Sequence, residues 1–111
     1  MKLQAFDVVV VPFPFTDRQV SKRRPALVLS SSTFNDQAAH SVLAMITSAG
    51  QNDWPADVPL TDLKAAGLDS ACLARLKLFT LDHRLIVRVA GSLAKVDRLA
   101  VSQAWRGHLA I

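Results

Sequence analysis

The chain has 111 residues, half of them hydrophobic and 20% charged, which suits one packed domain and argues against a disordered chain. Thirteen Lys and Arg against nine Asp and Glu leave a net charge of +4, which favours an anionic partner such as nucleic acid. A lone cysteine, Cys72, excludes an internal disulfide or a four-thiolate metal site and, within an apolar run, reads as an inert core thiol.

The longest apolar stretch, residues 8–15, contains two prolines and is too short to cross a bilayer. Asp7 interrupts any signal-peptide pattern. A single cytoplasmic domain over residues 1–111, with no membrane association, no metal and no cofactor, is the expectation.

In chain order, five short runs rich in Val, Leu and Ile predict strands: residues 8–11, 26–29, 42–46, 73–79 and 85–90. Pro12 and Pro14 cannot donate to a ladder, so the first strand is expected to stop there and lead into a loop up to Lys22. Ser30, Ser31 and Ser32 suggest a strand-end turn. A second loop is expected over residues 48–61, where Gly50, Asn52, Asp53, Pro55 and Pro59 are turn formers. In the fourth strand Ala74, Leu76 and Leu78 alternate with Arg75 and Lys77. Thr80 to His83 suits a hairpin connection or one helical turn before the fifth strand.

Residues 93–108 predict an amphipathic helix with Leu93, Val96, Ala100 and Ala104 on one face, Ser92 as N-cap and Trp105 packing beside the stripe. Mainly β with a C-terminal helix, the chain is short enough that a small, strongly bent antiparallel barrel would bury both faces of its strands.

Most catalytic signatures are absent. The four glycines form no phosphate loop, His40, His83 and His108 lack metal spacing, and no glycine elbow surrounds the serines. Two clusters remain. Ser21, Lys22, Arg23, Arg24 and Pro25 enter the second strand, and Pro25 biases Arg24 toward an extended backbone that directs its guanidinium. Such a cluster is either a solvated rim or an anion site. Thr47 and Ser48 close the third strand, where hydroxyls cap a turn or hydrogen-bond a phosphate. If the strand ends are adjacent, Arg24 and Thr47 meet.

The succession Asp7-Val8-Val9-Val10-Val11-Pro12-Phe13-Pro14-Phe15-Thr16-Asp17, then Arg23-Arg24-Pro25-Ala26-Leu27-Val28-Leu29, then Ile46-Thr47-Ser48 resembles the MazF/PemK family of toxin endoribonucleases. Ala66-Gly67-Leu68, Leu78-Phe79-Thr80-Leu81-Asp82 and Gly91-Ser92-Leu93 extend the resemblance through nearly the whole chain. It implies an SH3-like barrel, a homodimer, and a type II toxin that cleaves single-stranded RNA, usually mRNA, without a metal. It also implies an antitoxin partner whose flexible acidic tail covers the RNA groove.

The family's arginine before proline falls on Arg24, and its strand-end threonine on Thr47. The sequence departs from the family in having Phe6 where glycine precedes the aspartate, which is expected to alter packing or the dimer seam. It also has Ala74 and Leu76 where many members carry an Arg-x-Asp pair, with Arg75 one residue out of phase unless a bulge returns it.

The implied chemistry is attack of the 2′-hydroxyl on the adjacent phosphorus, giving a 2′,3′-cyclic phosphate and a 5′-hydroxyl. Arg24 would stabilise phosphoryl charge and Thr47 would orient the phosphate or 2′-hydroxyl. Arg18, Lys22, Arg23 and Ser48 are expected to bind RNA, with Phe15, Phe13 or Trp54 stacking on bases. No neutral-pH general base is evident. Two other classes stay open: a CcdB-like gyrase poison on the same barrel, and a catalytically decayed RNA-binding module, which the missing Arg-x-Asp pair favours.

Overall fold

The computed structural model describes residues 1–13, 22–50 and 52–111. Six strands form one curled antiparallel sheet: β1 (Asp7–Phe13), β2 (Lys22–Val28), β3 (His40–Ser48), β4 (Val58–Pro59), β5 (Cys72–Asp82) and β6 (Arg88–Ser92), in the order β4-β5-β3-β2-β1-β6. Three helices accompany it: α1 (Ser32–Ala38), α2 (Leu63–Ala66) and α3 (Lys95–Arg106). None is long and apolar enough to cross a membrane.

Both sheet faces are covered, as the continuous apolar runs of the early strands demand. Val8, Leu27, Ala44, Ile46 and Ala74 pack with Leu93, Val101 and Trp105. Val9, Val11, Ala26, Val28 and Leu43 pack on the other side with Leu3, Leu81 and Ile86. Neighbouring Val8 and Val9 are both fully buried because each serves a different cluster.

The edge strands β4 and β6 are not joined by a ladder. The gap is covered by α2, which packs on β6 through two apposed glycines. A Cβ on Gly67 would lie 2.2 Å from the Ala90 carbonyl oxygen, and one on Gly91 would lie 2.4 Å from that of Ala65. Gly67 also ends α2 at φ +72, a left-handed conformation that L side chains rarely adopt.

Several boundaries differ from expectation. β1 runs through Pro12, which pairs with Arg23, to Phe13. The β6 ladder ends at Val10, so Pro12 lies where β1 is paired on one side only, and its missing N–H need cost no ladder bond. The serine turn opens α1: the Ser31 hydroxyl accepts from Phe34 N–H at 3.3 Å. The second expected loop contains β4, and α2 follows it, started by Asp62 accepting from Ala65 N–H at 3.0 Å. After β5 a single 3-10 turn, His83–Leu85, delays the last strand to Arg88. Asp82 holds that turn by accepting from the Arg84 backbone N–H and guanidinium, and the Arg84 bonds lower its carboxyl to about 2.

Together with Leu93 just before it, the terminal helix keeps Ala100 and Ala104 of the expected inner face against the core, but it is turned so that Val96 leaves that face. Ala94 is its N-cap with no side-chain bond, while Ser92 closes β6. Asp97, Val101 and Trp105 face inward, whereas Val96 is 59% exposed. The phase is set by Asp97, whose carboxylate accepts from Thr61 N–H at 3.0 and 3.1 Å, Thr61 Oγ1 at 2.8 Å and Asp62 N–H at 2.9 Å. Burial raises its pKa, but these bonds outweigh burial and leave it below the ordinary value. Trp105 packs as expected, donating through Nε1 to the Ala56 carbonyl at 2.8 Å.

Phe6, which replaces the family's glycine, has φ 71. That left-handed backbone accounts physically for glycine at this position. Its ring packs partly buried against the core and lies beneath the Arg98 guanidinium, 5.8 Å from the ring centroid.

Candidate functional site

The site begins with a proline. The β2·β3 ladder pairs Val28 with Leu43, Leu27 with Ala44 and Ala26 with Met45, and stops there. The next residue of β2 is Pro25, which has no N–H to continue it. Beyond that point a cleft of about 370 Å³ opens, bordered by Arg23, Arg24 and Pro25 of β2 and by Ile46, Thr47 and Ser48 of β3. Counted by alternation from the paired Ala26 and Met45, Arg24 and Thr47 fall on one face of the sheet, and both border the cleft. By the same alternation Arg23 and Ser48 lie on the other face, so the cleft gathers residues of both faces.

The far wall is Gly67, Leu68, Asp69 and Ser70, with Cys72, and Arg88 of β6 borders the opening. Three arginines therefore border one cleft: Arg23, Arg24 and Arg88. None has an ion pair among the described residues. Arg24 is the most constrained. Its Cζ lies 5.2 Å from the Phe13 ring centroid, and its Nε is buried with no hydrogen-bond partner among the described residues. A buried cationic donor without a partner is costly unless an anion completes it. The site thus favours binding an anion with two or more oxygens, aided by the Thr47, Ser48 and Ser70 hydroxyls.

Of the other sequence candidates, Lys22 is exposed, paired with Phe13 and outside the cleft lining. Arg18 and Phe15 lie outside the described residues. Cys72 is buried, its thiol pushed up by burial while donating to the Ser70 carbonyl at 3.2 Å. The histidines stand away from the cleft: His83 Nε2 is 2.7 Å from the Ser41 hydroxyl, His40 lies near Asp82, and His108 bonds the Ala104 carbonyl.

Sequence reading missed Arg88, Asp69 and Ser70. Arg88 had a faint signal, a lone cation between two valines, but the wall residues come from a loop distant in sequence.

The register of β5 places the fourth-strand residues. Ala74 pairs with Ile46 and is buried, while Arg75 pairs with Met45 and Leu73 with Thr47. Arg75 therefore lies on the Thr47 face, two residues along, while Ala74 is buried on the opposite face. The register shift in this ladder falls beyond Met45. Its guanidinium is occupied: Nε donates to Asp57 Oδ1 at 3.1 Å, and Nη2 donates to Asp57 Oδ2 at 2.9 Å and to the Asn52 carbonyl at 2.6 Å. The Asp57 hydrogen bonds raise its already high pKa.

Comparison with known proteins bears on the fold and the family. Among curated proteins, none matches the sequence. In the solved structures the chain is similar to MazF from Deinococcus radiodurans, with 22% identity, a TM-score of 0.75 and coverage of 100% of this chain and 99% of that one. It is also similar to a MazE-MazF structure from the same organism, at 20% identity and TM-score 0.76, covering 97% and 96% of the two chains. An endoribonuclease in complex with its cognate antitoxin from a mycobacterial species matches at 13% identity and TM-score 0.72, covering 96% and 91%. These identities establish a shared fold. The family itself is given by the sequence profile of the PemK-like, MazF-like toxin of type II toxin-antitoxin system, which matches residues 4–108. Since that match spans nearly the whole chain, the protein belongs to the PemK-like, MazF-like toxins of type II toxin–antitoxin systems.

Proposed function

We propose that this toxin is an endoribonuclease that cleaves single-stranded RNA, mRNA in particular, at short preferred sequences. The 2′-oxygen bonds to the adjacent phosphorus as the bond to the 5′-oxygen breaks. The 2′-hydroxyl loses its proton and the departing 5′-oxygen gains one, leaving a 2′,3′-cyclic phosphate and a 5′-hydroxyl. The nucleophile is tethered beside its electrophile, so the protein's work is alignment and charge stabilisation. Arg24 neutralises the phosphoryl oxygens, and Thr47 orients the phosphate or the 2′-hydroxyl. Arg23, Ser48 and Arg88 bind the flanking strand, with Lys22 at the approach.

The observation that carries this reading is that Arg24, whose buried Nε has no hydrogen-bond partner among the described residues, borders one cleft with Thr47. The neighbouring structures support the partner: a MazE-MazF assembly and an endoribonuclease with its antitoxin share this fold. The rim of unpaired arginines suits a flexible acidic tail competing for the RNA cleft. The exposed Val87 and Val89 beside β6, with Val96 and Leu99 on α3, support an apolar seam for a homodimer.

The test is incubation of purified protein with a long unstructured RNA in chelator, followed by sequencing of 5′-hydroxyl ends and mass analysis of 3′ ends. Recurrent cut sites, cyclic phosphate and fragments in molar excess over protein are expected, all lost in Arg24→Ala. Shifted but intact RNA would replace this reading with a non-catalytic binder. Intact RNA together with gyrase-trapped, cleaved DNA would indicate a gyrase poison.

A further inference from the structure

The two tryptophans differ sharply in setting. Trp105 is 3% exposed and Trp54 is 40% exposed. Trp54 is nevertheless held firmly. Its Nε1 donates to the Leu76 carbonyl at 3.0 Å, fixing the indole edge to β5. Arg75 Cζ lies 5.8 Å from the ring centroid, and Arg75 is itself clamped by Asp57 and the Asn52 carbonyl. Lys77 Nζ lies 5.2 Å from the same centroid. Lys77 is exposed and has no ion pair among the described residues.

The position of this group matters as much as its composition. Arg75 lies on the sheet face that carries Thr47, one strand step of about 7 Å beyond Leu73, which pairs with Thr47. A rigid, half-exposed indole with an unpaired ammonium thus lies on the Thr47 face of the sheet, outside the cleft lining. An indole offers a flat surface to any base, and a nearby ammonium offers the attached phosphate a counter-charge.

We infer that Trp54 and Lys77 form a stacking subsite for an unpaired nucleobase of the bound RNA, beyond the Arg24–Thr47 cleft, with Arg75 as the positioning residue that fixes the indole. The inference rests on the ribonuclease reading and adds a base-binding position to it. The subsite takes any base, because stacking engages the ring face rather than its hydrogen-bonding edge. It therefore contributes affinity and register, and leaves sequence choice to other contacts.

The test uses an uncleavable 2′-O-methyl oligoribonucleotide and intrinsic tryptophan fluorescence. Binding is expected to quench Trp54 emission in the wild type. Trp54→Ala should bind roughly 5- to 150-fold more weakly, and Trp54→Phe should keep most of the affinity. Oligonucleotides with one abasic site at successive positions should include one that weakens the wild type but not Trp54→Ala. Lys77→Ala should lower the slope of log affinity against log salt by about 0.7.

Trp105 emission and thermal melting verify that each variant is folded. Equal binding by folded Trp54→Ala and wild type overturns the inference, as does an abasic scan that penalises both proteins alike. Cleavage by the wild type with an unchanged KM in Trp54→Ala overturns the subsite and leaves the ribonuclease reading standing. A wild type that neither binds nor cuts RNA overturns both. Quenching by an acidic peptide but not by the oligonucleotide reassigns the shelf to the antitoxin and overturns the RNA subsite.

Discussion

Asp97 and Arg24 are both charged side chains drawn into a small fold, and they are treated in opposite ways. Asp97 is 1% exposed, and Thr61 and Asp62 supply its carboxylate with hydrogen bonds. Arg24 has a buried Nε and, among the described residues, no hydrogen-bond partner for it. The same contrast separates whole regions. At the α1 end, Asn35 accepts from the Ser30 and Ser41 hydroxyls and donates to the Leu3 and Ser30 carbonyls. Because Ser41 donates to Asn35, His83 Nε2 must carry the proton it shares with Ser41 at 2.7 Å. That corner is a closed structural network. At the cleft, by contrast, the buried Nε of Arg24 has no hydrogen-bond partner among the described residues. Polar groups that hold the fold are satisfied within it, and an unsatisfied buried donor marks a candidate site.

The comparison can be broken by deleting each charge. The largest effect expected is that of Arg24→Ala on cleavage, a loss of at least 10²–10³ in rate by analogy with removal of one oxyanion donor. Its melting temperature should not fall, since the side chain that is lost had an unsatisfied donor. A drop in stability matching the loss of activity would make Arg24 structural.

Asp97→Ala should do the reverse. It should lower unfolding free energy by about 3 kcal/mol, because Thr61 and Asp62 donors lose a charged acceptor. Cleavage per folded molecule should stay near wild type, measured by active-site titration beside a urea melt.

Asn35→Ala should cost about 2 kcal/mol by orphaning the Ser41 hydroxyl and the Leu3 carbonyl. Since the network is remote from the cleft lining, RNA affinity should not change.

The smallest effect is on acid stability. Asp97 and Asp82 both titrate below their ordinary value of 3.8, Asp82 at about 2. A carboxylate depressed in the folded state contributes stability above its unfolded pKa and loses it as pH falls through the folded value. Urea midpoints should therefore be flat above about pH 5 and fall below about pH 4. The fall should be shallower in Asp97→Asn, and an unchanged slope would mean that other groups govern acid unfolding.

Much of this was legible in the linear chain. Short β-branched runs between turn formers locate the core of the strands, since such runs suit buried pleated surfaces whatever their neighbours. The Arg24-Pro25 and Thr47-Ser48 blocks mark the two lips of the cleft, and the motifs around them carry the family. The sequence also announces Gly67 and Gly91 without saying that they face each other across the α2–β6 contact. The helices α1 and α2 are short, and their start signals are the single side chains of Ser31 and Asp62, too weak to stand out locally.

What the sequence by itself determined was the cores of the five longer strands, the positive charge and the two residue blocks at the strand ends. Tertiary structure alone decided the rest. Strand order brought Arg24 and Thr47 to one cleft, the β3·β5 register put Arg75 on the Thr47 face, the Thr61–Asp62 donors fixed the phase of α3, and the curl of the sheet brought Asp69, Ser70 and Arg88 to the cleft. The physical reason is that propensity and pattern act over a few neighbouring residues. Register, helix phase and ion-pair choice are settled only when distant segments compete for the same hydrogen bonds and the same buried space.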